Sequence, residues 1–205
     1  MNVNGGQLTS VNYLAFDQVS TLKVAASIYD ITTNTPTLIG SPSALTYQTA
    51  GMYIGSFTPV AGHYYLVITA VYLDAGFTTL DPQRAPKAEN YDAPTVDTTK
   101  LNFNYAAYDE AIGLAVTASI TNVTNALTVT QAMFHVAMGV YLGQYAGTVG
   151  KTYAVTKYSS DPFRAPGSDS FQCYALNSSV INITNYLSQA TLVGPSVTGV
   201  FQGHS

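Results

Sequence analysis

Alternation with a period of two is the clearest pattern in the chain. Over Thr21–Tyr29, Leu22, Val24, Ala26 and Ile28 fall on one side of an extended backbone, with smaller or polar residues on the other. That is the signature of a half-buried β-strand. Comparable runs follow at Val11–Phe16, Leu38–Gly40, Ala44–Tyr47, Gly51–Phe57 and Tyr64–Tyr72, the last being the longest. Between them stand turn formers: Asp30 to Pro36, Ser41-Pro42, Thr58 to Gly62, and a loop from Asp74 to Thr79. No segment carries a convincing helical period.

The plan then repeats. Asp81-Pro82-Gln83-Arg84-Ala85-Pro86-Lys87-Ala88-Glu89-Asn90-Tyr91 returns as Asp161-Pro162-Phe163-Arg164-Ala165-Pro166-Gly167-Ser168-Asp169-Ser170-Phe171. Two prolines fix φ and forbid helix, so each copy predicts an extended, turn-bounded connection whose final aromatic anchors the chain to a core. Upstream, Val116–Ile120 answers Val24–Ile28 at an offset of 92, Gly139–Tyr145 answers Gly51–Phe57 at 88, and the proline stretch recurs at 80. The drift places the length differences in loops. The first unit carries about eight extra residues between Val71 and Asp81.

Short strands, frequent turns and many β-branched and aromatic residues predict an all-β chain of two tandem β-sandwiches. The units are residues 1–97 and 98–175, with an apolar, uncharged extension at 176–205 that packs as an edge strand or pairs with a neighbouring subunit. Candidate strands in the extension are Val180–Ile183 and Ala190–Val193. Gly62-x-x-Tyr65-x-Val67 and Gly150-x-x-Tyr153-x-Val155 resemble the E–F corner of immunoglobulin-like domains, where a tyrosine hydroxyl bonds back across the turn. The cysteine pair and tryptophan of antibody domains are missing, so the likeness is to the broad immunoglobulin-like class.

Composition changes the picture in one respect. Charged residues make up 9% of the 205, against about 25% in an average soluble protein. Thr, Ser, Asn, Gln and Tyr must cover the surface, which suits a protein packed among others. A secreted β-protein with a Thr/Ser-rich face is the alternative. Seven Lys+Arg and a net charge of −4 give no basic stripe for nucleic acid. Cys173 is the single cysteine, so no internal disulfide or Cys-based zinc site is expected, and it reads as a small buried residue. The start of the chain lacks a signal-peptide pattern and no apolar run reaches about 18 residues, so the expectation is synthesis in a cytoplasm without membrane insertion.

Candidate chemistry is sparse. His63, His135 and His204 share no metal-ligand spacing, and no nucleophile elbow, phosphate loop or dinucleotide fingerprint occurs. Asp74, Asp81, Asp92, Asp97, Asp109 and Glu110 could supply a sugar-cleaving carboxylate pair, but no pair is singled out. Calcium could use Asp74, Asp81, Asp161 or Asp169, although a turn-forming role explains these aspartates more simply. Arg84 with Glu89 and Arg164 with Asp169 recur five residues apart, and the expectation is a salt bridge bracing each proline connection. With Tyr65 and Tyr153 these residues are the structural anchors of the repeat; no catalytic residue, metal or cofactor is assigned. Asn-x-Ser/Thr at Asn122, Asn177 and Asn182 is coincidence in so Asn- and Thr-rich a chain.

Gly51–Pro59 followed by Gly62–Val67 resembles the immunoglobulin-like modules of bacteria and bacteriophages. Tandem modules poor in charge are similar to virion structural proteins of tailed phages, where such domains occur in head decorations, head fibres and tail adaptors. The resemblance implies a virion setting, with other virion proteins and copies of the chain itself as partners. A surface adhesin binding host glycans through tyrosines is the second expectation.

Overall fold

The computed structural model describes residues 6–93, 99–107, 113–161, 164 and 166–173. His204, Asp97, Asp109, Glu110, Asn177, Asn182 and the whole extension at 176–205 lie outside them.

The first half contains β1 (Thr9–Leu14), β2 (Lys23–Asp30), β3 (Thr37–Leu38), β4 (Ser43–Ala44), β5 (Thr46–Thr49), β6 (Met52–Phe57), β7 (His63–Tyr72) and β8 (Lys87–Ala93). The second contains β9 (Lys100–Ala106), β10 (Val116–Asn122), β11 (Leu127–Ala137), β12 (Val140–Ala146), β13 (Thr152–Ser159) and β14 (Gly167–Gln172). All regular structure among the described residues is β.

Each half is an antiparallel sandwich of immunoglobulin-like design. In the first, β1-β6-β5 faces β3-β2-β7-β8, with β4 also pairing β2. These sheets correspond to strands B-E-D and C-F-G of that class. In the second, β14-β13-β10-β11 forms one sheet, and β11 passes after Met133 into the other, β11-β12-β9, where its pairing with β12 has an irregularity between His135 and Ala137. One long strand therefore does in the second half what β3, β4 and β5 do in the first.

The repeat extends to backbone detail. Ala50 and Gly51 (φ 47 and 79) and Met138 and Gly139 (φ 51 and 70) make the same hairpin turn before β6 and β12. Two successive positive φ values match the twist of the flanking strands. The Tyr65 hydroxyl accepts from Val60 N–H at 2.8 Å and the Tyr153 hydroxyl from Thr148 N–H at 3.0 Å, both reaching back five residues across the corner. A second pair escaped the sequence reading: Tyr53 accepts from Leu22 N–H (2.9 Å) and Tyr141 from Leu114 N–H (3.0 Å). It fixes the entry to β2 and β10, and its signal was Tyr53 and Tyr141 standing 88 residues apart.

Each sandwich has its own core. Val11, Val24, Ile28, Tyr53, Tyr65, Val67 and Tyr91 pack in the first; Leu101, Phe103, Ile120, Tyr141, Tyr153, Val155 and Cys173 in the second. A third apolar cluster joins the halves. Leu66 and Ile68 point from the outer face of β7 toward Val140 and Leu142 of β12, with Ile31, and all five are fully buried. The four sheets thus stack face to face, which differs from modules strung in series. Burial of each such side chain is worth about 1.5–3 kcal/mol. The extra loop of the first half has a place here too: Phe77 packs on Tyr72 at 5.4 Å, and both join Met138 in a further cluster.

Candidate functional site

The stacking leaves a groove of about 1080 Å³ along one flank. The first half contributes Asn12, Leu14 and Phe16 from β1 and its exit, and Gln83–Ala88 from the proline connection. The second contributes Asn104–Ala106, Lys157, Pro166 and Gly167. β1 alternates, with Val11 and Tyr13 in the core and Asn12 and Leu14 outward, so the period that builds the sheet also lines the groove. Phe16 lies just past the strand and is 92% exposed.

Every cation lining the groove has an acidic partner. Arg84 binds Asp17 through its guanidinium and Asp81 at 3.4 Å; Lys87 meets Glu89 at 3.1 Å; Lys157 meets Asp169 at 2.6 Å. The hydrogen bond from Arg84 holds the Asp17 carboxyl below its ordinary range, and Asp17 in turn raises Arg84. Burial pushes the Tyr13 hydroxyl up, against the pull of Arg84. The groove is accordingly a mixed surface, apolar and aromatic with compensated charge and a few neutral polar groups, chemistry suited to a neutral ligand such as a sugar or a polypeptide loop.

The pairs differ from the sequence expectation. Arg84 bonds Asp17 and Asp81 while Glu89 bonds Lys87, and Arg164 bonds Asp161 (3.1 Å) while Asp169 bonds Lys157. The reason is local geometry. Asp-Pro-x-Arg forms a turn closed by Arg84 N–H to Asp81 C=O (3.1 Å) and Arg164 N–H to Asp161 C=O (3.2 Å), which folds each arginine over its own aspartate. Glu89 and Asp169 lie beyond that turn, within β8 and β14, where period two sets Lys87 beside Glu89. The aromatics that end the two stretches do reach the cores: Tyr91 is buried in the first and Phe171 packs against the second.

Beside the groove lies a smaller pocket of about 340 Å³ between β8, β9, β13 and β14. Asn90 Nδ2 donates to Asn102 C=O (2.9 Å), Asn102 Nδ2 to Asp92 (3.3 Å), and Lys157 Nζ to Asn104 C=O (2.7 Å). Gln144 Nε2 donates to Asn102 Oδ1 (2.9 Å) and to Ile31 C=O (2.8 Å), while Lys100 Nζ donates to Ile31 and Thr32 C=O. These side chains tie β9 and β12 to the first half, and sequence alone did not single them out. Burial raises the Asp92 carboxyl, opposed by Asn102 and Lys100.

The remaining candidate residues have structural surroundings. Asp74 accepts from Gly76, Thr78 and Thr79 N–H and holds its loop closed. Asp81 accepts from Gln83 N–H at 3.0 Å. His63 Nδ1 lies 2.6 Å from Asp30, and His135 packs on Tyr141 at 5.2 Å. Cys173 is buried. Among the described residues, no three His, Cys, Asp or Glu side chains gather as a metal site.

No family model and no curated protein matches the chain. Solved structures with partial likeness include a pullulanase from Anoxybacillus sp. LM18-11, at 13% identity and TM-score 0.28 over 81% of this chain and 24% of that one. Another is a tetra-tandem repeat in the extending region of a large adhesion protein, at 17% identity and TM-score 0.29 over 85% and 47%. A third is pullulanase type I from Bacillus subtilis str. 168, at 13% identity and TM-score 0.23 over 76% and 22%. The chain spans less than half the length of each. At these values the likeness says nothing of substrate or partner.

Proposed function

We propose that the chain is a non-enzymatic structural component of a bacteriophage virion, a tail or fibre-attachment adaptor or a capsid decoration, made in the host cytoplasm and acting through protein–protein contacts. The observation that carries this is the surface. With 9% charged residues, the exterior includes exposed Leu8, Phe16, Leu73, Val123 and Leu127, a combination that favours cover by neighbours over dispersal. The salt-bridged turns and the buried third cluster support a rigid block, suited to bearing load between partners. The partners in this reading are other virion proteins and further copies of the chain, with no nucleic acid, metal or cofactor.

Mass spectrometry of purified phage particles, with copy number, tests the proposal. Detection at a fixed stoichiometry is expected; absence from particles of a phage that encodes and expresses the chain overturns it.

A second reading has one observation behind it. Phe16 stands exposed at the rim of a charge-compensated groove with Asn12, Gln83 and Asn104, a set that can stack on and hydrogen-bond a sugar. This favours an adhesin for host glycans. Glycan-array binding that disappears in Phe16→Ala would support it, and the absence of binding by the native protein would remove it.

A further inference from the structure

The two halves, alike in so much, differ at one sheet edge. In the first, the outer neighbour of β2 is broken into β3 and β4, two residues each, with Pro36 and Pro42 just before them and Gly40 (φ 68) between. In the second, the matching neighbour of β10 is β11, an eleven-residue strand without proline or glycine. Its residues Leu127–Met133 pair with β10 on one side, and among the described residues no strand pairs the other. Leu127 is 65% and Val129 40% exposed. Short pieces and prolines are the ordinary means of disarming an edge. One copy has them and the other does not.

The other sheet edges are closed or charged. β8 carries Lys87, Glu89 and Asp92, and β14 carries Asp169. The β9 carbonyls of Asn102 and Asn104 are taken by Asn90 and Lys157. β1 is flanked by the Asp17–Arg84 pair and by Lys87 on Asn12 (3.4 Å), and β5 is four residues long with an irregularity between Tyr47 and Thr49.

Charge indicates what pairs with β11. No Asp, Glu, Lys or Arg occurs between Glu110 and Lys151. A strand that meets its own copy about a two-fold axis brings two segments of identical net charge together, residue i facing j and j facing i, so a strand without net charge of either sign pairs with itself unopposed. We propose that the edge of β11 over Leu127–Ala132, unpaired among the described residues, is a strand-addition interface for the same segment of a second copy, antiparallel about a two-fold axis. Centred on Val129, this register places Thr128 opposite the partner's Thr130, a cross-strand pair that favours itself. The proposal names one contact within the assembly reading and rests on it only for the setting.

Sedimentation of the full chain over a concentration series tests it. The native protein is expected to form a dimer. Thr128→Lys/Thr130→Lys, both at exposed positions, should weaken it by about a hundredfold or more through like-charge opposition. Ser43→Lys on the matching edge of the first half should leave it unchanged. Val129→Cys should give a disulfide-linked dimer under oxidising conditions. Circular dichroism and melting temperature establish that each variant is folded; if the double lysine variant is not, the Val129→Cys cross-link decides. A native chain that stays monomeric, a folded double lysine variant that associates like the native protein, or failure of Val129→Cys to cross-link would overturn the proposal. Particles that contain the chain while β11 fails these tests sink only the edge contact. A β11 dimer found in no particle sinks only the virion reading.

Discussion

Lys157 Nζ lies 2.7 Å from the carbonyl oxygen of Asn104, joining β13 in one sheet to the open side of β9 in the other. The same ammonium meets Asp169 at 2.6 Å, and its side chain is almost wholly buried. One cation thus closes a sandwich flank and satisfies an edge carbonyl. Lys157→Met keeps the stem and removes both bonds, leaving Asn104 C=O without that donor. The expected loss is about 2 kcal/mol, below the range for fully buried pairs because Asp169 is partly in water. Urea denaturation measures it, and a change under a few tenths of a kcal/mol would show that the bonds are replaced by water.

The two corner tyrosines offer a matched test. Tyr65→Phe and Tyr153→Phe each delete one hydroxyl acceptor, from Val60 N–H and Thr148 N–H, and keep the ring. Each should cost about 1 kcal/mol. The corners lie in different sandwiches, so the double variant should lose close to the sum. A strongly unequal pair of values would mean that the corner carries different loads in the two halves.

How far the residues foretold these features depends on the range of the interaction. Alternation at Leu22–Ile28 and the Gly-x-x-Tyr corners act within a strand or a turn, and their strands and hydrogen bonds follow from local spacing. The run Tyr64–Tyr72, apolar except for Thr69, also carried a signal of burial on both faces. A strand with one wet face alternates, whereas this one has Tyr65 and Val67 in its own core and Leu66 and Ile68 against the second half. The choice of Asp17 for Arg84 was not legible, because the two are 67 residues apart and meet only when β1 passes beside the proline connection. The groove was hidden for the same reason: its walls come from both copies of the repeat.

Two carboxyls should tilt the pH dependence of stability in opposite directions. Burial raises Asp92 in the folded state, so the folded chain holds that proton more tightly and stability falls as pH rises from about 4 through the raised value. At Asp30 burial opposes ionisation, but hydrogen bonds from Thr32 and the His63 contact outweigh it and lower its folded value. Its contribution is present above about 4 and is lost as pH falls through that lowered value. Asp92→Asn should therefore raise stability at neutral pH and remove the decline, while Asp30→Asn should reduce stability at neutral pH and weaken the acid-side loss. Denaturant midpoints from about pH 3 to 8 check both.

Gly143 and Gly55 are equivalent positions with different demands. Gly143 pairs with Phe103 across β12 and β9, and an added Cβ would enter the contact distance of the buried ring. Gly55 pairs with Val11, and its Cβ would come within 3.3 Å of the Leu45 side chain, a neighbour able to shift by tenths of an ångström. Gly143→Ala should cost about 2–3 kcal/mol by overpacking, and Gly55→Ala less than about 1. Thermal unfolding of the two variants compares them directly. Equal effects would mean that Phe103 rotates away at little cost.

Leu142 tests whether the halves unfold together. It is fully buried against Leu66, Ile68 and Ile31, on the outer face of its own sandwich, so truncation leaves both intrinsic cores untouched. Leu142→Ala should remove about 3 kcal/mol, the usual cost of a buried leucine cavity. Leu66→Ala should cost a similar amount, and the double variant less than the sum, because both lose the same contact. If the third cluster couples the halves, native unfolding is a single transition and the double variant separates it into two. Two transitions already present in the native protein, with Leu142→Ala moving only one, would mean that the sandwiches are stable apart and the buried face between them adds little.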